Sequence, residues 1–115
     1  MKDSYKINFD DFERVDIRVG TISRTAAFPE SKKPAIKIWV DFGEVIGEKK
    51  SSAQLTKHYK LKTLSGKQIA AVINLPPRQI GKFMSEILIL GFPDRNGDVI
   101  LIQPDIKIPD GGKLF

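Results

Sequence analysis

The chain has 115 residues, with 19 Lys and Arg against 14 Asp and Glu, one histidine and no cysteine. That length suits one domain with a single hydrophobic core, so we expect residues 1–115 to fold as a unit. The lack of cysteine excludes disulfides, thiol chemistry and cysteine-ligated metal sites. A composition with 41% hydrophobic and 29% charged residues excludes a disordered tail and a membrane protein.

The first predicted elements are a short helix and a strand. Asp10 precedes Glu13 by three residues, which is the spacing of a capping box, so we expect a short helix with Asp10 as its N-cap. Apolar and charged residues alternate from Val15 to Ile22, which predicts a strand, and Gly20 allows a bend within it.

The remaining elements are also mostly short strands. Apolar residues alternate with polar ones over residues 36–42, with Lys37, Trp39 and Asp41 on the polar side. A helical turn is predicted within residues 56–64. Three apolar runs then predict strands, at residues 69–75, 86–92 and 99–102.

This order of elements predicts an all-β fold. Five short strands with one small helix match the OB-fold, a small five-stranded barrel, followed here by a C-terminal extension. A two-sheet sandwich is the alternative, but the chain offers few strands for two sheets. Phe9, Phe12, Phe42 and Phe92 are core or capping residues by this pattern.

No catalytic or cofactor site is predicted. Ser51 and His58 could join an aspartate in a triad, but no nucleophile elbow surrounds the serine. The glycines lack the spacing of a phosphate-binding loop, and a single histidine leaves little room for a metal site. We therefore expect a protein that binds without catalysis, with no cofactor and no metal.

The positive charge is concentrated in the middle of the chain. Residues 30–82 hold eleven basic and four acidic side chains, a surplus of seven, in three stretches that barrel closure could bring to one rim. A solvated basic face is the alternative, but the clusters together favour nucleic acid, whose phosphates lysines neutralise. The candidate nucleic-acid contacts from these stretches are Lys32, Lys33, Lys49, Lys50, Ser51, Asn74, Arg78 and Lys82.

The protein is expected in the cytoplasm. The beginning, Met1–Lys6, is polar, and no apolar segment of a secretory signal follows it. The longest apolar run has five residues, Ile69–Ile73, and Ile87–Leu90 and Val99–Ile102 have four each, so no membrane insertion is expected.

Several motifs resemble the tRNA-binding domain family, which includes an appendage of methionyl-tRNA synthetases. They are Val15–Ile22, Phe28–Pro34 and Asn74–Gly81. Within that family, Lys37–Gly43 and Ser51–Gln54 are similar to the branch of CsaA-type export-related chaperones. The resemblance covers about residues 8–115.

The resemblance implies an OB-fold homodimer without catalytic activity. It adds Ser85 and Glu86 to the candidate RNA contacts and implies three partners: tRNA, unfolded or export-bound polypeptides, and the export machinery. Two departures from the tRNA-binding branch add apolar bulk near the expected rim, Phe28 in place of histidine and Ile87-Leu88 in place of Gly-Met. Both favour a peptide-binding role.

A chaperone needs exposed apolar pockets with a polar border. The candidate peptide contacts are Phe28, Trp39, Ile80, Phe83 and Met84. The alternative for each is a place in the barrel or in a subunit interface. The leading interpretation is a chaperone that holds export-bound polypeptides and retains tRNA binding. A dedicated tRNA-binding protein is the second interpretation, and a structural adaptor is the third.

Overall fold

The computed structural model describes residues 5–115; Met1 to Ser4, part of the polar beginning, lie outside the described residues. Its helices are short: α1 (Phe9–Glu13), α2 (Gly43–Ile46) and α3 (Leu61–Leu64). The strands are β1 (Ile17–Ala27), β2 (Ile36–Asp41), β3 (Glu48–Ala53), β4 (Gln68–Val72), β5 (Arg78–Ile80), β6 (Phe83–Ser85), β7 (Leu88–Ile89), β8 (Gly91–Pro93) and β9 (Val99–Leu101).

Five of these strands form one antiparallel sheet in the order β3-β2-β1-β4-β7, and β5-β6 and β8-β9 are separate hairpins. The sheet curls until β3 meets the chain that leaves β6. There the backbone N–H of Glu86 donates to the carbonyl of Lys50 at 2.8 Å, and Ser51 Oγ donates to the carbonyl of Ile87 at 3.0 Å. The result is a nearly closed barrel, which confirms the predicted all-β, OB-like fold.

The interior of the barrel explains the alternation in β2. Ile36, Ile38 and Val40 are buried, whereas Lys37 and Trp39 between them lie on the other side of the strand. Since neighbouring residues of a strand face opposite sides, the apolar half of the pattern fills the core. The largest fully buried side chains are Phe42, Ile22, Ile38, Leu64, Ile69 and Val40.

Strand β1 is long because it serves two neighbours. Its first half pairs with β4 and its second half pairs with β2. At the crossing, a Cβ on Gly20 would lie 2.6 Å from Val40 Cγ1 and 2.9 Å from the Asp41 carbonyl oxygen. Only glycine fits there, so Gly20 serves close packing of the two strands.

The C-terminal extension pairs with the first half of β1. The backbone N–H of Val19 donates to the carbonyl of Gly112 at 3.0 Å, and that of Gly111 donates to the carbonyl of Val19 at 2.8 Å. Gln68 fixes the chain just before this segment, because its side-chain amide exchanges two hydrogen bonds with the backbone of Ile108. Among residues 5–115, no helix is long and apolar enough to span a membrane.

Several local predictions were wrong. The N-cap of α1 is Asn8 and not Asp10, and its capping box uses Asp11. Phe9 and Phe92 are about two-thirds exposed, so neither belongs to the core. Phe12 is partly buried and Phe42 is fully buried, as core or capping residues should be.

The predicted strand bounds also shift. Residues 48–54, one of the three basic stretches, contain β3, a strand that the hydrophobic pattern does not predict because few apolar side chains lie in it. The predicted strand at 69–75 ends at Val72, and the run at 86–92 is divided between β7 and β8. Only α3 forms as a helix within 56–64.

Candidate functional site

The outward surface of β1, β2 and β3 carries side chains in transverse rows. Arg24, Trp39 and Lys50 are paired neighbours across the three strands, so they form one row. Lys37 and Ser52 are paired in the next row. We call the four residues Arg24, Lys37, Trp39 and Lys50 the outer face.

Trp39 of the outer face forms an aromatic cluster with Phe28 and Phe83. The ring of Phe83 is 5.4 Å from that of Phe28 and 6.1 Å from that of Trp39, to which it is nearly perpendicular. Phe28 and Phe83 are buried, whereas Trp39 is partly exposed. Of these predicted peptide contacts, the two phenylalanines therefore support the surface, and Trp39 is accessible on it.

Cations cover this cluster. The Arg24 guanidinium lies 3.9 Å from the centre of the Trp39 ring. The Lys37 ammonium lies 4.9 Å from the Phe28 ring, and those of Lys37 and Lys50 each lie 5.4 Å from the Phe83 ring. These distances are within the range of cation–π attraction, so three positive charges are held at one aromatic surface.

The loop between β1 and β2 borders the outer face. Its Glu30 carboxylate lies 3.8 Å from the Lys37 ammonium, which brings the loop to the edge of β2. Lys32 and Lys33 follow in the same loop and are exposed. The loop thus extends the positive surface beyond the strands.

A pocket of about 260 Å³ lies between β3 and the β5-β6 hairpin. It brings together five predicted site residues from three parts of the sequence. Its lining is Ser51, Ser52, Leu75, Pro76, Arg78, Ile80, Ser85, Glu86, Ile87 and Leu88. The lining thus combines aliphatic side chains with a guanidinium, a carboxylate and hydroxyls.

The polar residues of this pocket also close the barrel. Glu86 Oε1 accepts from the backbone N–H of Lys50 at 3.1 Å, and Ser85 Oγ lies 3.3 Å from Ser51 Oγ. These side chains form hydrogen bonds along the edge of β3 that lies opposite β2. Throughout the described residues, no buried side-chain nitrogen or oxygen lacks a hydrogen-bond partner.

The remaining predicted site residues are dispersed. Lys49 is paired with Val40 and so lies on the opposite side of β3 from Lys50. Lys82 is exposed in the turn of the β5-β6 hairpin, and Met84 is 36% exposed on β6. These residues join neither the aromatic cluster nor the lining of the pocket.

Asn74, a predicted RNA contact, has both ends of its amide engaged with the backbone. Its Oδ1 accepts from the Asp16 N–H at 2.9 Å, and its Nδ2 donates to the Arg14 carbonyl at 2.7 Å. The side chain therefore anchors the entry into β1.

His58 contacts an acidic turn. Its Nε2 lies 2.6 Å from Asp94 Oδ2, and together with Asp98 these residues form the group of the described chain whose ligand atoms, all within 4.8 Å, could hold a metal. The hydrogen bond from His58 lowers the pKa of Asp94, with further lowering from the backbone N–H groups of Asp98 and Asn96. This contact ties the segment before α3 to the β8-β9 hairpin.

The sequence interpretation missed Arg24. Strict alternation along β1 would place Ile22 inside, Ser23 outside and Arg24 inside. The register instead shifts between Ile22 and Arg24, so Ile22 lies inside the barrel and Arg24 lies on its outer side. No residue type in this stretch signals that shift.

Comparison with known proteins shows what the chain is similar to. Residues 17–113 match the model of the family described as "Putative tRNA binding domain". The methionine–tRNA ligase of Porphyromonas gingivalis is 33% identical over 108 residues, and that of Methanococcoides burtonii is 38% identical over 105 residues. These alignments cover 94% and 91% of this chain, which spans about 15% of the length of each ligase.

Two solved structures match nearly end to end. The chaperone CsaA of Bacillus anthracis has a TM-score of 0.89 and 45% sequence identity, over 96% of this chain and 99% of that one. The CsaA chaperone protein of Picrophilus torridus has a TM-score of 0.88 and 46% identity, over 96% of this chain and all of that one.

Proposed function

Because the chain belongs to the tRNA-binding domain family, we propose that it is a non-catalytic protein that binds tRNA. The observation that carries this proposal is the outer face with its bordering loop. Arg24, Lys37 and Lys50 lie together over one aromatic cluster, and Lys32 and Lys33 extend the positive surface. Cations spread over a rigid sheet suit the phosphates of a folded RNA.

A second candidate function is the holding of unfolded or export-bound polypeptides. The pocket between β3 and the β5-β6 hairpin supports it, because Leu75 and Leu88 on its border are about half exposed. Apolar side chains of an extended polypeptide could bury there, with Arg78 and Glu86 meeting its backbone. The near full-length similarity to two CsaA chaperones also supports this function. Both functions fit a protein of the cytoplasm.

A gel-shift experiment tests the two functions together. We expect total tRNA to form a retarded complex that weakens steeply with added salt, because phosphate contacts release counterions. A reduced, unfolded polypeptide is then added as competitor, and aggregation of that client is measured separately at high salt. A complex insensitive to salt would contradict tRNA binding through the outer face. Unchanged aggregation with the protein in excess would contradict polypeptide holding.

The proposed assembly is a homodimer. Apolar side chains are exposed at both ends of the described chain, with Tyr5, Ile7 and Phe9 each at least 66% exposed and Phe115 fully exposed. The C-terminal segment lies beside β1, since Arg18 of β1 pairs with Lys113. A second copy packed here would bury apolar area that so small a core cannot enclose.

Sedimentation velocity checks the dimer. We expect a species of twice the chain mass at micromolar concentration, and we expect Phe9→Asp to shift it toward the monomer. Lys57→Asp, which introduces the same residue at an exposed position before α3, is the control. A monomeric wild type, or a dimer unaffected by Phe9→Asp, would contradict this interface.

A further inference from the structure

A β-bulge places an arginine on the outer face. In β1, Ile22 is paired with Val40 and Arg24 with Trp39, so Ser23 is an extra residue in the register, although its hydroxyl donates to the Trp39 carbonyl at 3.2 Å. Ile22 is therefore fully buried while Arg24, two residues later, lies outside. Bulges redirect side chains in this way and are frequent beside binding sites.

The redirected side chain lies over the ring of the only tryptophan. The Arg24 guanidinium lies 3.9 Å from the centre of the Trp39 ring, and the Phe83 ring lies 6.1 Å from that ring and nearly perpendicular to it. Arg24 itself is exposed, so a ligand can reach the guanidinium that lies over the indole. The bulge thus places a guanidinium over an indole, and we call the Arg24–Trp39 pair the platform.

The charges around the platform differ from end to end. Lys50 neighbours Trp39 in the same row, and Lys37 lies in the next row toward the β1–β2 loop. In the opposite direction, the paired residues Asp41 and Glu48 are acidic. An anionic strand is therefore favoured on the side of the lysines and repelled on the other, so it would cross the platform in a defined place.

We propose that this platform binds an unpaired nucleotide of an RNA, which is a finer property than the proposed tRNA binding and depends on it. The base stacks on the Arg24–Trp39 pair, and the adjoining phosphates lie against Lys50 and Lys37. Exposed bases of RNA stack on aromatic rings and on guanidinium planes, whereas the bases of a duplex are stacked already.

Intrinsic fluorescence tests the platform, because Trp39 is the sole tryptophan. We expect a short oligoadenylate to quench Trp39, and an RNA duplex of equal charge to leave it nearly unchanged. Arg24→Ala should weaken oligoadenylate binding by roughly tenfold. Arg24→Lys keeps the charge but loses the plane, so it should weaken binding nearly as much. Arg95→Ala, at an exposed arginine of the β8-β9 turn, is the matched control.

Gel shifts with tRNA on the same variants separate this proposal from the proposed function. If tRNA binds but oligoadenylate does not quench Trp39, or if Arg24→Lys retains wild-type affinity, the platform is wrong and tRNA binding stands. If neither RNA binds the wild type, both are wrong. Quenching by an unfolded polypeptide without any response to oligoadenylate would assign the platform to peptides and overturn the proposal. Thermal unfolding of each variant confirms that it remains folded.

Discussion

Reversing both loop charges with Lys32→Glu and Lys33→Glu is expected to lower the affinity for tRNA by roughly tenfold or more. Both lysines are exposed in the loop that Glu30 holds against β2, so the change removes two phosphate contacts beside the outer face. The slope of log affinity against log salt should fall by about two, since each lost contact releases about one counterion fewer. Fluorescence anisotropy of labelled tRNA at several salt concentrations measures both quantities.

The matched control reverses two cations elsewhere, with Arg95→Glu and Lys107→Glu. Arg95 lies in the β8-β9 turn and Lys107 in the C-terminal segment, and both are exposed. This variant has the same net charge as the loop variant, so it separates a local contact from a general effect of charge. Equal losses in the two variants would mean that tRNA responds only to the net charge of the protein. Unaltered affinity in the loop variant would remove the loop from the interface.

Replacing Phe83 with alanine is expected to lower the free energy of unfolding by about 3 kcal/mol, near the lower end for buried Phe→Ala changes. Phe83 is buried, and its ring contacts both Phe28 and Trp39. The substitution would leave a cavity beneath the outer face and remove the ring that Lys37 and Lys50 overlie. Denaturant unfolding followed by circular dichroism measures the change.

Met84→Ala is the control for that experiment, because the two residues are neighbours on β6 and Met84 is 36% exposed. We expect Met84→Ala to cost less than Phe83→Ala, since about a third of Met84 is already exposed. If Phe83→Ala changes the free energy of unfolding only slightly but greatly weakens polypeptide binding, Phe83 is a peptide contact. Phe83→Leu should recover part of the stability, because it fills most of the cavity.

Lys50 connects the two proposed binding surfaces. Its ammonium lies over the Phe83 ring beneath the outer face, while its backbone N–H and carbonyl both bond to Glu86 at the border of the pocket. A ligand that displaces Glu86 from β3 therefore acts on the strand that carries Lys50. We therefore expect tRNA and polypeptide to compete, because both proposed surfaces depend on this strand.

The strands that carry apolar side chains were the predictable part of the fold. Ile36, Ile38 and Val40 alternate with polar residues, and hydrophobic burial requires one side of such a strand to face the core. Strand β3 was not predictable in this way, because lysines and serines fill it. Its pairing is imposed by β2 on one side and by the hydrogen bonds of Glu86 and Ser51 on the other.

In the candidate site too, residues marked by a local pattern were predictable, whereas residues placed by tertiary contacts were not. Loop lysines such as Lys32 and Lys33 are visible as a cationic run and lie exposed, as a run between strands would. Phe28 and Phe83 are candidate peptide contacts with a place in the barrel as the alternative, and their burial depends on contact between distant segments. No local pattern distinguishes an aromatic residue that supports a binding surface from one that forms it.

By itself, the sequence determined an all-β chain with its positive charge in the middle, because burial and turn chemistry act on near neighbours. Only the tertiary structure decided which cations face the aromatic cluster. A single extra residue, Ser23, shifts the register of β1 and moves Arg24 from the inner to the outer side. Side chains alternate with a period of two, so one inserted residue reverses the direction of every later side chain, and only the pairing of β1 with β2 reveals it.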